Sequence, residues 1–378
     1  MAVPNPDDQK FWTEFNISNT DLNEKIRQYG YEATVSEIAS EICQRFPFMK
    51  YWIPEESLDQ MFQNVKRYKA EWVEQKYKVS TLTIPSTNLQ YRGKPLLLKN
   101  EHGDYIKYNL IVEWFAEHIR LSARRANQTE NILTFFKNHI NEIVSHCVSN
   151  YKQITAKDIR ESVYRSHYEC TEFRVTHICA FIDLWHPKNI LDFSSGRGAR
   201  LIGALSREDQ IDRYVGVDPD PHVHPIYDQM IARFAKTPGK FCMIQAPFES
   251  DEIKVTADYD LVFTSPPYFD LEIYNNDPAQ SIVKYPGLKE WLEKFMYPSL
   301  TKAWRALRSG GRLALILNDP ANNVYPDNKA PKYTENAVRF CHSLAKQSGG
   351  MYEGVISYAG FEKNKPRSPQ PVWIWRKG

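Results

Sequence analysis

The sequence predicts an α/β chain in which a mostly parallel sheet, covered on both faces and closed by an antiparallel terminal strand pair, follows a mainly helical N-terminal domain. Three observations predict it. From about residue 165 short apolar runs alternate with helical segments, the pattern of a parallel sheet with helices on both faces. The last two β-prone runs, EGVISYAG and PVWIWRK, are joined by a polar loop and read as antiparallel neighbours. Before that boundary, apolar positions recur at three- and four-residue spacing, as in Ile26, Tyr29, Val35, Ile38 and Ile42. The domains are therefore drawn at residues 1–165, mainly helical, and 166–378, the sheet.

Taken in order, the helical pattern runs to about residue 80, punctuated by Pro54 and resumed in SLDQMFQNVKRYKAEWVEQKYK. TLTIPSTNLQYRGKPLLLKNEHGDYIKY then offers short β-prone runs between Pro and Gly, with His102-Gly103-Asp104 as a turn. A second helical stretch, NLIVEWFAEHIRLSARRANQTENILTFFKNHINEIVSHCVSNY, precedes the sheet. There HICAFIDLW reads as a helix, and NILDFSS, RYVGVD, YDLVFTS and GRLALILND read as buried strands.

Composition narrows the function. The chain has 378 residues, of which 42% are hydrophobic and 25% charged, so it is neither a disordered tail nor a fibre. A net charge of +2 neither demands nor forbids a nucleic-acid partner. The six cysteines are scattered without a CxxC pair, which disfavours a disulfide framework and structural zinc and suits a reducing, cytoplasmic setting. His222 and His224 have no partners at ligand spacing, so no metal is expected. No apolar run is long enough to span a bilayer, and MAVPNPDDQKFW lacks the features of a secretory signal, so no membrane association is expected.

Chemistry concentrates in two loops. After the strand NILD comes Asp192-Phe193-Ser194-Ser195-Gly196-Arg197-Gly198-Ala199-Arg200, then the helical LIGAL. Gly196 and Gly198 permit a tight turn and close approach of a ligand to the helix N-terminus. A dinucleotide fingerprint would carry a third glycine where Leu201 stands, and Asp192 would repel a pyrophosphate but attract an ammonium group. This points away from NAD and towards the zwitterionic end of S-adenosylmethionine. Asp218, in Val215-Gly216-Val217-Asp218-Pro219, ends the next strand, where a carboxylate takes both hydroxyls of a ribose.

The second loop is Ser265-Pro266-Pro267-Tyr268, after Asp260-Leu261-Val262-Phe263-Thr264. Two prolines end the strand and stiffen the chain. The Ser265 hydroxyl and Pro266 carbonyl are thereby fixed as acceptors beside the Tyr268 ring, an arrangement suited to an exocyclic amino group on a planar ring.

With DFSSGRGAR, GVDPD and TSPPYF in that order, residues 165–378 resemble a class I methyltransferase of the amino-methylating DNA group, which modifies cytosine N4 or adenine N6. The segment LEIYNNDPAQSIVKYPGLKEWLEKFMYPSLTKAWRALRSGGRLALILND and the closing QPVWIWRK resemble that family too, whereas the N-terminal part matches no known pattern. The resemblance implies a Rossmann-like methyltransferase sheet, S-adenosylmethionine as cofactor and double-stranded DNA as partner, with room for a cognate restriction nuclease. It assigns Asp192, Ser194, Gly196 and Gly198 to the methionine end of the cofactor and Asp218 to the ribose. Thr171, Phe173 and Arg174, in CTEFR, would lie towards its carboxylate. Ser265, Pro266, Pro267 and Tyr268 would hold the target base. The family's polar residue beside the adenine is absent, so Gln245 or Glu249 must substitute. Ser at position 265 favours cytosine over adenine, although the motif order is shared with many adenine enzymes. RNA or a protein amide is the alternative substrate, and a catalytically silent DNA-binding subunit of the same fold is the rival of another class.

For the grip on DNA two places stand out. Arg120, Arg124 and Arg125 sit in HIRLSARRANQTE, with Arg120 and Arg124 one helical turn apart, and such a face could meet phosphates. Lys363, Lys365 and Arg367 would lie on the loop between the last two strands. Residues 1–165 are large enough for a target-recognition domain, although no helix-turn-helix or zinc-finger signature is legible there.

Overall fold

The computed structural model describes residues 5–74, 90–100, 103–322, 325, 329–362 and 365–378. The chain divides into two compact units that interleave along the sequence. One comprises residues 1–58, 113–171 and 272–275, and the other 59–112, 172–271 and 276–378. A single boundary at 165 is therefore replaced by several crossings, because residues 59–112 contribute strands to the sheet.

The first unit is helical. Ser18 caps the helix Asn19–Tyr29 by accepting the Asp21 N–H, and Gly30, at φ +86°, ends it. Thr155 and Asp158 form a reciprocal capping box at the start of Ala156–Ser166. The apolar faces meet in one core around Trp12, Leu22, Val35, Ile38, Ile42, Phe136, Ile143, Val144, Ile159 and Val163. Each such fully buried side chain contributes roughly 1.5–3 kcal/mol. The long helical stretch expected after residue 109 is in fact three helices, Leu110–Ser122, Ile132–Asn138 and Ile140–Asn150. Between the first two, Arg124–Arg125 pairs antiparallel with Glu272–Ile273.

The second unit is built on a nine-stranded sheet: β1 (Trp72–Glu74), β2 (Leu96–Asn100), β3 (Asn189–Asp192), β4 (Arg213–Asp218), β5 (Phe241–Gln245), β6 (Tyr259–Thr264), β7 (Leu307–Ile316), β8 (Met351–Glu362) and β9 (Lys365–Arg376). The spatial order is β1-β2-β8-β9-β7-β6-β3-β4-β5. Strands β5, β4, β3, β6 and β7 run parallel, and β9 joins β7 antiparallel, with Leu313 opposite Trp375 and Leu315 opposite Trp373. Strands β8 and β9 form the expected antiparallel hairpin. The fold class is as the sequence predicts, a Rossmann-like sheet with an antiparallel terminal pair. At its edge β2 pairs parallel with β8 and antiparallel with β1, so Trp72–Glu74 is a strand where a helical pattern was expected.

One face of the sheet packs Leu191, Val215, Val217, Val262, Leu315 and Trp373 against Trp291, Phe295, Leu300 and Val338 from the later helices. The helix Val175–Trp185 is buried along Val175–Ile182, as a helix must be when it is apolar all round. Strand order reverses between β3 and β6, since β4 and β5 lie to one side and β6 and β7 to the other. In such sheets ligands bind beyond the carboxyl ends of the strands at that switch point. The glycine loop follows β3 there and Ser265-Pro266-Pro267-Tyr268 follows β6.

All six cysteines are free thiols. No helix among the described residues is long and apolar enough to cross a membrane.

Candidate functional site

The loop after β3 is set by its two glycines. Gly196 has φ +60° and Gly198 φ +95°, the left-handed region that L side chains rarely enter. A Cβ at Gly198 would also stand 2.7 Å from the Met230 sulfur, whereas one at Gly196 would meet nothing within 4 Å. Conformation demands the first glycine, and conformation and crowding together the second. The Gly196 N–H donates to Asp218 Oδ2 at 2.8 Å, and Tyr227 donates its hydroxyl to the Gly196 carbonyl. The loop is thus tied to the end of β4.

Asp218 also accepts the Asp220 N–H on Oδ1 at 3.1 Å. Burial raises its carboxyl to about 7, the two backbone N–H groups opposing that shift without cancelling it. Beside it the Asp220 Oδ1 meets His222 Nδ1 at 2.8 Å, and His224 Nε2 lies 2.9 Å from the Asp218 carbonyl.

Asp192 departs from expectation. Its carboxylate was expected to face a ligand ammonium group, but it is 1% exposed and engaged within the protein. Arg200 Nε donates to Oδ2 at 2.6 Å and the Tyr214 hydroxyl to the same oxygen at 3.0 Å. Oδ1 takes the Ser194 N–H at 3.3 Å, and Arg200 also donates to the Ser194 carbonyl. A buried carboxylate needs such a partner, and the guanidinium in the following helix supplies it. Arg200 was legible in DFSSGRGAR but carried no role there.

The segment before the helix Val175–Trp185 is held by Asn109. Its amide donates to the Phe173 carbonyl at 2.6 Å and its Oδ1 accepts the Val175 N–H at 3.1 Å. The Phe173 ring lies 4.7 Å from the Arg200 guanidinium carbon and meets His177 edge-on. Arg174 is half-buried, and its Nη1 is buried without a hydrogen-bond partner among the described residues. His177 Nε2 faces Asn100 Oδ1 at 3.1 Å, while burial, aided by the Arg174 charge, pushes this imidazole well below its ordinary range. Thr171 belongs to the first unit, where its N–H donates to Glu272 Oε1 at 3.2 Å.

At the end of β5 Gln245 is exposed. The Glu249 side chain is instead 6% exposed, with Lys284 Nζ at 3.2 Å and the Tyr285 hydroxyl at 3.4 Å from Oε1. Of the two residues open for the adenine position, Gln245 is the one with its side chain exposed. Nearby Phe193 stacks on Phe248 at 4.9 Å.

Strand β6 ends at Thr264, and Ser265, Pro267 and Tyr268 are half-buried around a buried Pro266. Phe269 takes φ +55°, a left-handed conformation for a bulky residue, and its ring packs on Trp291 at 5.7 Å. The chain therefore turns sharply right after Tyr268, closed by a Leu271 N–H bond to the Tyr268 carbonyl. The Tyr268 and Tyr333 rings lie 6.5 Å apart between centroids with their planes inclined at 53°. Asp319, beyond β7, accepts the N–H groups of Tyr333 and Thr334, both at 2.9 Å, and so fixes that second ring. Asp270 accepts the Tyr325 hydroxyl at 2.6 Å. Tyr333 gave no signal in the sequence, whereas Asp319 closes the GRLALILND run.

The expected phosphate contacts fare differently. Arg120 is 2% exposed and pairs with Glu113 at 2.8 Å and with Glu169, so it offers no free charge to a phosphate. Arg124 is not one helical turn from it, because the helix ends at Ser122 and Arg124 lies on a short strand. Lys365 and Arg367 lie on β9, opposite Glu362 and Gly360, and not on a loop. Their side chains, and the whole of Lys363, lie outside the described residues.

No family model matches the chain, and no curated protein matches it either. Solved structures similar to it include the N-methyltransferase NodS from Bradyrhizobium japonicum, at 10% identity and TM-score 0.35 over 54% of this chain and 92% of that one. An S-adenosylmethionine-dependent methyltransferase from Methanosarcina mazei matches at 13% identity and TM-score 0.35, over 52% and 96%. Spermidine synthase in complex with the transition-state analogue AdoDATO matches at 17% identity and TM-score 0.35, over 56% and 64%.

Proposed function

We propose that this chain is an S-adenosylmethionine-dependent DNA methyltransferase acting on an exocyclic amino group of a flipped base, cytosine N4 in preference to adenine N6. One observation carries the reading. At the switch point of the sheet, a glycine loop locked to Asp218 follows one central strand and Ser265-Pro266-Pro267-Tyr268 follows the strand beside it.

The residues fit the cofactor. Gly196 leaves room for close approach, Asp218 suits a ribose diol, and the Nη1 of Arg174, without a partner among the described residues, suits a carboxylate. Gln245 suits the edge of an adenine. Asp192 instead braces the loop through Arg200. When bound, S-adenosylmethionine supplies an electrophilic methyl group.

The protein's own contribution is orientation. Turning a base out of a duplex costs a few kcal/mol, and the Tyr268 ring offers a stacking surface that recovers part of this. The Ser265 hydroxyl and Pro266 carbonyl accept the two amino hydrogens, which frees the nitrogen lone pair from the ring. The same acceptors hold the proton to be lost after transfer. The rigidity of Pro266-Pro267 and the turn at Phe269 keep these acceptors in register with the Tyr268 ring.

The test is transfer of a tritiated methyl group with duplex DNA, RNA and protein offered in parallel. Label in DNA, lowered about 10- to 100-fold in Ser265→Ala, is expected. Label in RNA or protein alone would move the substrate to those classes. Failure to bind S-adenosylmethionine would make the chain a catalytically silent subunit of this fold.

A further inference from the structure

The helical unit contains several arginines, and most of those near its core are neutralised. Arg120 pairs with Glu113, and Arg160 pairs with Glu117 at 2.6 Å. Arg124 and Arg125 differ. Arg124 Nη1 donates to the Gln128 carbonyl at 3.0 Å and Arg125 Nε to the Glu169 carbonyl at 2.9 Å. Neither has an ion pair among the described residues, and both are half-buried. Carbonyl oxygens orient a guanidinium without cancelling its charge, so each side chain is held in place with its other N–H groups still to be used.

The surroundings are ordered for the same purpose. Gln128 Oε1 accepts the Arg125 N–H at 3.0 Å and its amide donates to the Tyr168 carbonyl at 2.7 Å, clamping the turn onto the segment before Thr171. The Tyr168 ring is 70% exposed, the most exposed large apolar side chain described, and lies 5.9 Å from the Arg125 guanidinium carbon. An exposed ring beside the Arg125 guanidinium, with the Arg124 guanidinium on the adjacent residue, matches the chemistry of a nucleic acid, phosphates with a flat base or sugar nearby. The strand opposite these arginines is Glu272–Ile273, and only Phe269, Asp270 and Leu271 separate Tyr268 from it along the chain.

We propose that Arg124, Arg125 and Tyr168 form a DNA-contacting surface of the helical unit, the two arginines on backbone phosphates and the tyrosine on a base or sugar. This rests on the reading of the chain as a DNA methyltransferase and names where it grips the duplex. The full chain is titrated into a labelled duplex by fluorescence anisotropy at several salt concentrations, and the DNA from the same samples is assayed for methylated nucleosides. Arg124→Gln with Arg125→Gln lowers the slope of log affinity against log salt by about 2, one counterion for each phosphate that is no longer neutralised. The matching lysine pair retains the slope, and Arg27→Gln with Lys137→Gln, an equal charge change at exposed positions of the same unit, leaves it unchanged. Tyr168→Ala weakens binding about tenfold with the slope unchanged. A glutamine pair with the wild-type slope overturns the surface, as does a wild type that does not bind duplex DNA. Methylated DNA with unaltered slopes defeats only the surface, and altered slopes on DNA that stays unmethylated defeat only the methyltransferase reading.

Discussion

The backbone N–H of Gly196 points at the carboxylate of Asp218, 2.8 Å away, so the glycine loop and the ribose-type carboxylate form one rigid piece. That piece carries the cofactor reading, and its chemistry is testable by pH.

Burial holds the Asp218 carboxyl at about 7, above its ordinary 3.8. Because its pKa in the folded chain is raised, this group's contribution to stability is fully present below about 4 and is lost as pH rises towards 7. A ribose diol donates to the charged form, so binding favours loss of that proton. Affinity for S-adenosylhomocysteine therefore rises with pH between about 6 and 8 and then levels off. Calorimetric titration across that range measures it, and Asp218→Asn is expected to bind weakly with a flat profile.

The Arg200–Asp192 pair is buried at 4% and 1% side-chain exposure. Removing one partner leaves the other charged and unpaired, which costs about 3–5 kcal/mol. Arg200→Met is expected to lower the urea midpoint sharply, and Arg200→Lys less, since it keeps the charge but loses the fork onto the Ser194 carbonyl. Equilibrium unfolding checks both.

Ser265→Ala removes one acceptor for the target amino group and leaves the glycine loop untouched. A fall in kcat of about 10- to 100-fold is expected, with affinity for S-adenosylhomocysteine unchanged. Single-turnover methyl transfer alongside calorimetry separates the two effects. Equal losses in both would place Ser265 in the cofactor pocket.

Arg120→Ala acts on folding and not on DNA. It breaks the buried pair with Glu113 and is expected to destabilise the helical unit by about 3–5 kcal/mol. Its salt dependence of DNA binding stays that of the wild type under conditions where it remains folded. Thermal melting and anisotropy at several salt concentrations measure these two outcomes.

Strands β3, β4, β6 and β7 were legible because each is a short apolar run bounded by turn residues, and the glycines at 196 and 198 declared a loop by their type. Strand β1 was hidden, since Trp72-Val73-Glu74 continues a helical spacing and is made a strand only by pairing with Leu96–Leu98. The same holds for Arg124–Arg125, whose strand partner Glu272–Ile273 lies far along the chain. Asp192 was legible as a buried-strand acid at a loop, but its direction was not. Whether a carboxylate faces a ligand or a guanidinium depends on a side chain at the start of the next helix, here Arg200. Arg120 was misread because a helical spacing says which residues share a face, not which face is buried.

The most direct test of the central claim is mass spectrometry of nucleosides from duplex DNA incubated with the protein and S-adenosylmethionine, beside a Tyr268→Ala control. N4-methylcytosine that appears with the wild type and vanishes in the variant is the predicted result, and N6-methyladenine in its place would change only the base. Unmodified DNA from a protein that demonstrably binds the cofactor would contradict the account.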